Sequence, residues 1–324
     1  MAMVNRIVFL MAAFAAAAPA VAQTWPSKPV RMITPFPPAG SLDVVGRAVT
    51  ARLSTALGQP VVLENRAGAG GAIGSEAVAR SPADGYTLLL SSASTHSIAP
   101  ALQPKLPYDP IKDFTAIVEL HPGGTNVLIV AVNAPWKTAG ELVAYAKANP
   151  GKLTYGTGGI GTVPHLTTAA LAAYTGTDLL HVPYKGAALV MPDLIAGRVG
   201  FIFESIISVQ PHVSGGKVKA LGVSGAKRSP LLPDVPTYAE SGLPGFQAPG
   251  AYMGLWGPAG LPGPVVARLN SEVNRMLQSP DMKEQLAKLG IEPTGGTPEA
   301  FAEKVRTDRA KWGEIVTKTG IKAE

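Results

Sequence analysis

Pro35-Phe36-Pro37-Pro38-Ala39-Gly40-Ser41-Leu42-Asp43 lies between two patterned segments. Before it, Val30-Arg31-Met32-Ile33-Thr34 is a short, mostly apolar run; after it, Leu42, Val45, Val49, Leu53 and Leu57 recur at helical spacing. The stretch therefore reads as strand, tight turn, helix. The prolines remove backbone donors, Gly40 permits close backbone approach, and Ser41 is a suitable N-cap. A helix beginning here presents unpaired N–H groups and the positive end of its macrodipole, an arrangement that suits a small anion.

The same grammar continues along the chain. Helix one, 41–57, ends at Gly58; Pro60 to Glu64 is strand two; the glycine-rich turn 68–74 opens a helix to about Arg80; Tyr86 to Leu90 is a nearly all-apolar third strand. This alternation predicts parallel α/β layers. Apolar runs at 116–118 and 127–132 flank His121-Pro122-Gly123-Gly124 and read as a crossing into a second α/β series. Its segments are helix 139–148, strand 153–155, helix 164–174, strand 179–182, helix 190–196 and strand 199–203. Val218 to Val223 reads as the return crossing. Strand 253–256 and helices 264–277, 281–289 and 298–319 complete the chain. The expected organisation is a signal peptide over 1–22, a first lobe over 23–121, a second over 122–224, and a return to the first over 225–324. Two α/β lobes joined by two crossings make a clamshell, with its site in the cleft between lobes.

The totals fit. A chain of 324 residues, 46% hydrophobic, suffices for one large or two medium domains with real cores, and its 36 glycines and 30 prolines provide many turns. Met1 to Arg6, the apolar run Ile7 to Ala18, and Ala20-Val21-Ala22 form a charged region, an apolar region and a small-residue cleavage signal. Export with cleavage after Ala22, to the periplasm in a cell with two membranes, is expected. With no cysteine there is no disulfide framework and no thiol nucleophile. The net charge of +6 is scattered rather than gathered into an aromatic-laced basic stripe, so no nucleic acid partner is expected.

A second turn of the same kind is Tyr155-Gly156-Thr157-Gly158-Gly159-Ile160-Gly161-Thr162-Val163-Pro164-His165. Thr157 and Thr162 supply hydroxyls, Gly158, Gly159 and Gly161 expose amides, and Pro164 fits an early helical position. One such turn in each lobe could grip a carboxylate from both sides. Asp43 in the first turn of helix one reads either as a dipole-favouring residue or as a recogniser of a ligand amino or hydroxyl group. Phe36 walls the cleft or fills the core, His165 donates to ligand or caps its helix, and Ser91 to His96 follow strand three toward the cleft. Other chemistries lack their residues. Ile73 breaks the G-x-G-x-x-G frame begun at Gly68, no G-x-S-x-G occurs, and no histidine pair has metal spacing, so neither cofactor nor metal is expected.

An ordered set of short motifs spans the chain from residue 25 onward. It comprises Trp25 to Val30, Pro35 to Gly40 with Asp43, Glu64 to Gly71, Asp84 to Leu88, Leu106 to Pro110 with Asp113-Phe114, and Asn149 to Leu153. Tyr155-Gly156, His181 to Gly186, Pro233 to Thr237 and Gly257 to Gly260 complete it. The set resembles the Bug receptors, the extracytoplasmic solute receptors of tripartite tricarboxylate transporters. The resemblance implies a two-lobed α/β Venus flytrap fold of the periplasmic binding protein type II kind, which holds a ligand carboxylate with backbone amides and waters from two loops, matching Phe36, Ala39, Gly40, Ser41 and Asp43, and Thr157, Gly158, Gly159, Gly161 and Thr162. It further implies ligand-facing positions at Ser91, Ser92, His165, Glu204 and Ser205. This chain departs from the family pattern with Ala39 where a glycine is common, Glu204-Ser205 where Asp or Asn is usual, and Gly200 where an acid is common.

The reading is a monomeric periplasmic receptor with no catalytic residue, binding a small carboxylate and closing so that membrane transporter subunits recognise it. Two alternatives stand beside it: an α/β enzyme using Asp43 or His165 as acid–base, and a ligand sensor for a signalling system.

Overall fold

A computed structural model describes residues 25–103, 105–248 and 250–321. The expected signal peptide and its cleavage point lie outside these residues. The first sheet is built from β1 (Val30–Thr34), β2 (Val61–Asn65), β3 (Thr87–Ser92), β4 (Phe114–His121) and β10 (Met253–Pro258), in the order β2-β1-β3-β10-β4. The strands between are β5 (Asn126–Ala131), β6 (Thr154–Thr157), β7 (Leu180–Pro183), β8 (Ile202–Ser205) and β9 (Val218–Val223). They form the antiparallel sheet β8-β5-β9 and the parallel pair β6-β7, bridged between Tyr155 and Phe201.

The expected parallel layering holds for β1, β2 and β3. It fails where the chain crosses between lobes. β10 lies antiparallel to both β3 and β4, and β5 lies antiparallel to both of its neighbours. A strand that returns from the other lobe enters without a crossover helix, so nothing forces the parallel sense. Val218 to Val223 is not the return crossing but strand β9. The following segment stays with the second lobe: Ser241 accepts from Gly140 N–H (2.8 Å) through its carbonyl and from Ala139 N–H (2.8 Å) through its hydroxyl, and Tyr238 N–H donates to Val223 O (2.9 Å). Tyr238, Leu243 and Phe246 are buried against Leu128, Leu142 and Phe203. The chain rejoins the first sheet at Met253.

The helices of eight or more residues are α1 (Ser41–Leu57), α2 (Ala72–Ala79), α3 (Ala139–Ala148), α4 (Val163–Thr175), α5 (Ala187–Ile195), α6 (Ile206–Ser214), α7 (Gly263–Gln278), α8 (Pro280–Ala287) and α9 (Pro298–Thr319). α1 begins one residue earlier than its serine suggested: its N-cap is Gly40, in an extended conformation, and Ser41 is the first helical residue. Its apolar stripe, Leu42, Val45, Val49, Leu53 and Leu57, is buried with Met32, Leu88 and Leu90. α9 packs Phe301, Val305 and Trp312 against the other face, beside Leu89 and Trp256. The first sheet is thus covered on both faces, as the unbroken burial of β3 requires.

Candidate ligand-binding site

A cavity opens between the lobes. Its wall includes Phe36, Gly40, Ser41, Leu42 and Asp43 from the first turn, Gly158, Thr162, Val163 and Pro164 from the second, and Ala187-Ala188 at the start of α5. Ser92 and Ser94 follow β3, while Glu204 and Ser205 end β8. Gly124, Thr125, Asn126, Ala251 and Met253, on the two crossings, close the floor. Four helices, α1, α4, α5 and α6, therefore direct their N-terminal residues at one space. The first amides of a helix have no intrahelical acceptor. Those of α6 are taken, Ile206 N–H by Thr125 O and Ile207 N–H by Ser205 Oγ. So α1, α4 and α5 supply the open N–H donors, while all four helices supply positive dipole ends. Among the described residues no Lys or Arg belongs to the wall.

The first turn is held by charge. Asp43 Oδ2 accepts from Ala39 N–H (3.1 Å) and Arg47 Nε (2.9 Å); Oδ1 accepts from Arg47 Nη2 (3.1 Å) and Asn65 Nδ2 (3.1 Å). Asn65 also donates to Phe36 O at 3.0 Å. Burial would raise the Asp43 pKa, but the bonds from Arg47, Ala39 and Asn65 outweigh it and leave the group below its ordinary value. With four donors in place, Asp43 has its acceptor positions filled by the protein. Its work is to shape the turn, including Ala39 at φ 64°, a left-handed conformation costly for any residue but glycine. Gly40 is the open point: a Cβ there would meet only Pro37 O, at 3.8 Å.

The second turn is held by neutral groups. Thr157 and Thr162 hydroxyls both donate to Gly159 O (3.2 and 2.8 Å), and Thr157 Oγ1 lies 2.7 Å from His181 Nε2. Gly161 N–H donates to His165 Nδ1 at 3.2 Å, so that nitrogen carries no proton and the neutral ring is protonated at Nε2. His165 and His181 stack at 4.2 Å, with Tyr155 stacked on His181 at 4.8 Å. Burial first, and the neighbouring His181 second, pull the His165 pKa down to about 4.

The expected site residues therefore divide. Phe36, Gly40, Ser41, Asp43, Ser92, Gly158, Thr162, Glu204 and Ser205 reach the cavity wall. Ala39, Thr157, Gly159, Gly161 and His165 sit behind it and brace the two turns. Ser91 is buried and bonded to Thr95 (2.6 Å). The sequence reading missed Ala187-Ala188 and the two crossings. Gly186 ahead of α5 was the available signal, since it repeats the strand–glycine–helix grammar of the two turns.

The lobes meet around the cavity through glycine. A Cβ on Gly186 would come within 2.3 Å of Pro37 Cγ, and one on Gly70 within 2.8 Å of Ile160 O. Both residues have positive φ, at 142° and 63°.

The model of the tripartite tricarboxylate transporter family receptor matches residues 45–321. The chain belongs to that family. Among curated relatives, protein BugT of Bordetella pertussis is 37% identical over 309 residues, covering 94% of each chain. Two solved structures of R. palustris proteins align over nearly their whole length. Rpa4515 with adipate is 34% identical with a TM-score of 0.88, covering 92% of this chain and 99% of its own. MatC with bound malate is 35% identical with a TM-score of 0.84, covering 90% and 100%. The receptor family, the two-lobed periplasmic binding-protein fold and the transport role expected from the motifs are thereby established. The family and these neighbours are receptors rather than enzymes.

Proposed function

We propose that this receptor captures a small organic carboxylate from the periplasm and presents it to the membrane subunits of its transporter, acting as a monomer after cleavage behind Ala22. The observation that carries the reading is the convergence of three open helix N-termini, those of α1, α4 and α5, on a wall that among the described residues has no lysine or arginine. That wall can hold an anion by amides and dipoles alone, and reversibly. Ser41, Leu42, Thr162, Val163, Ala187 and Ala188 are the positions assigned to the carboxylate, with Gly40 and Gly158 giving backbone access. The solved relatives with adipate and malate support a carboxylate as the guest. The lobes divide near residues 121 and 250, and closing about these crossings selects the ligand-bound form.

The experiment is a thermal-shift and calorimetric screen of carboxylic acids, with the bound compound recovered and analysed. A shift of several degrees with chemically unchanged ligand is expected. Turnover at micromolar protein, or no response to any carboxylate, would overturn the reading.

A further inference from the structure

The cavity has two chemically different ends. The turns of α1, α4 and α5 offer unused helix N-termini. At α6 the corresponding position is already filled from within: Glu204 Oε1 accepts the N–H of Ser205, the N-cap of that helix, at 2.8 Å. Glu204 belongs to the cavity wall together with Thr125, Asn126 and Ser205. Among the described residues no lysine, arginine or histidine forms an ion pair with it, whereas Asp43, the other acid of the wall, is paired with Arg47.

We infer that Glu204 is a specificity-determining residue that receives a cationic group on the ligand, so that this receptor selects small amino acids over simple dicarboxylates. The inference rests on the carboxylate-receptor reading above and names the ligand class within it. A ligand carboxylate seated against α1, α4 and α5 leaves its other end facing a carboxyl group. A second ligand carboxylate there would meet like charge with no basic residue to offset it. An ammonium meets a carboxyl group that has hydrogen bonds from Ser205 and Ser208 but no counter-charge. Burial, only partly offset by the Ser205 amide and the Ser208 hydroxyl, pushes the Glu204 pKa up to about 7. That is the behaviour of a carboxyl lacking a counter-charge, which a bound ammonium would reverse. The receptors with adipate and malate in their solved structures show that the fold also accommodates dicarboxylates, so the discrimination belongs to this chain's own wall.

The test uses length-matched probes by titration calorimetry near neutral pH: butyrate, 4-aminobutyrate, 2-aminobutyrate and succinate, then hexanoate, 6-aminohexanoate and adipate. The amino member of at least one set should bind tenfold or more tighter than both its simple acid and its dicarboxylate. Glu204→Gln, close in shape, should erase that preference while still binding the simple acid. Equal or tighter binding of succinate or adipate by the wild type would overturn the inference, as would an unchanged preference in Glu204→Gln. Either result would leave the carboxylate reading intact. Binding of no probe by either protein would remove both. If Glu204→Gln does not fold, the wild-type ratios alone decide.

Discussion

The two turns that face each other across the cavity share one geometry and almost no chemistry. In Pro35 to Asp43 the backbone is fixed by an aspartate that gathers an arginine, an asparagine and a backbone amide. In Thr157 to Thr162 it is fixed by two threonine hydroxyls and a stacked histidine pair. A helix end can thus be held for an anion either by a charge network or by neutral hydrogen bonds. The choice decides how each turn responds to mutation and to pH.

The largest expected effect comes from removing the charge. Asp43→Ala leaves Ala39 N–H without its acceptor, leaves Asn65 with only Phe36 O, and frees Arg47, which is already solvated. A loss of about 2–3 kcal/mol in denaturant unfolding is expected, together with at least about a hundredfold weaker ligand binding. Binding within threefold of wild type would show that the turn holds its shape without the network. Next comes Gly40→Val. A Cβ fits there without a clash, so the stability change should stay within about 1 kcal/mol. The branched side chain should nevertheless occupy the approach to the amides and abolish the ligand-induced thermal shift. A normal shift would move the binding point away from this turn.

The third effect is the pH response, which leaves ligand binding aside and separates the turns most cleanly. His165 is neutral in the fold, with its pKa lowered to about 4 from 6.5. A lowered histidine contributes stability that is present above 6.5 and is lost as pH falls toward 4, up to about 3 kcal/mol by linkage. His96, buried against Trp256, is lowered to about 3 and adds to the same loss. Replacing His165 by Asn, which keeps an acceptor near the Nδ1 position, should flatten melting temperature against pH between 6.5 and 4.5. Asp43→Asn should leave that slope unchanged, because Asp43 titrates below its ordinary 3.8. Equal slopes in wild type and His165→Asn would remove His165 as the sensor. Glu204 acts in the opposite sense, favouring the folded state at low pH and losing that contribution as pH rises from about 4.5 to 7.

Much of this was readable from residue order because the determinants are local. Strand, glycine turn and apolar helical stripe are set by neighbours within a few residues, so α1, α4 and both turns could be placed before any coordinates. Arg47, four residues after Asp43, pairs with it at helical spacing. What was not legible depends on register between distant segments. Asn65 reaches Asp43 because β1 and β2 pair Thr34 with Asn65. His181 stacks on Tyr155 because β6 and β7 place the two side by side, and His165 then joins them from α4. No spacing rule links residues 43 and 65 or 155 and 181. The antiparallel entry of β10 and the attachment of residues 237–246 to the second lobe were hidden for the same reason. An apolar run shows that a strand exists without naming its neighbours.

The position of β10 carries a consequence for how the chain is assembled. β4 has one neighbour in the first sheet, and that neighbour is β10, more than a hundred residues later. Until Pro258 has emerged from the ribosome or the export channel, β4 has no edge to join and the first lobe stays incomplete. The second lobe has all its strands by Val223 and its packed Phe246 soon after. The lobe that begins second is therefore able to finish first, and its partner is completed around it by the returning strand.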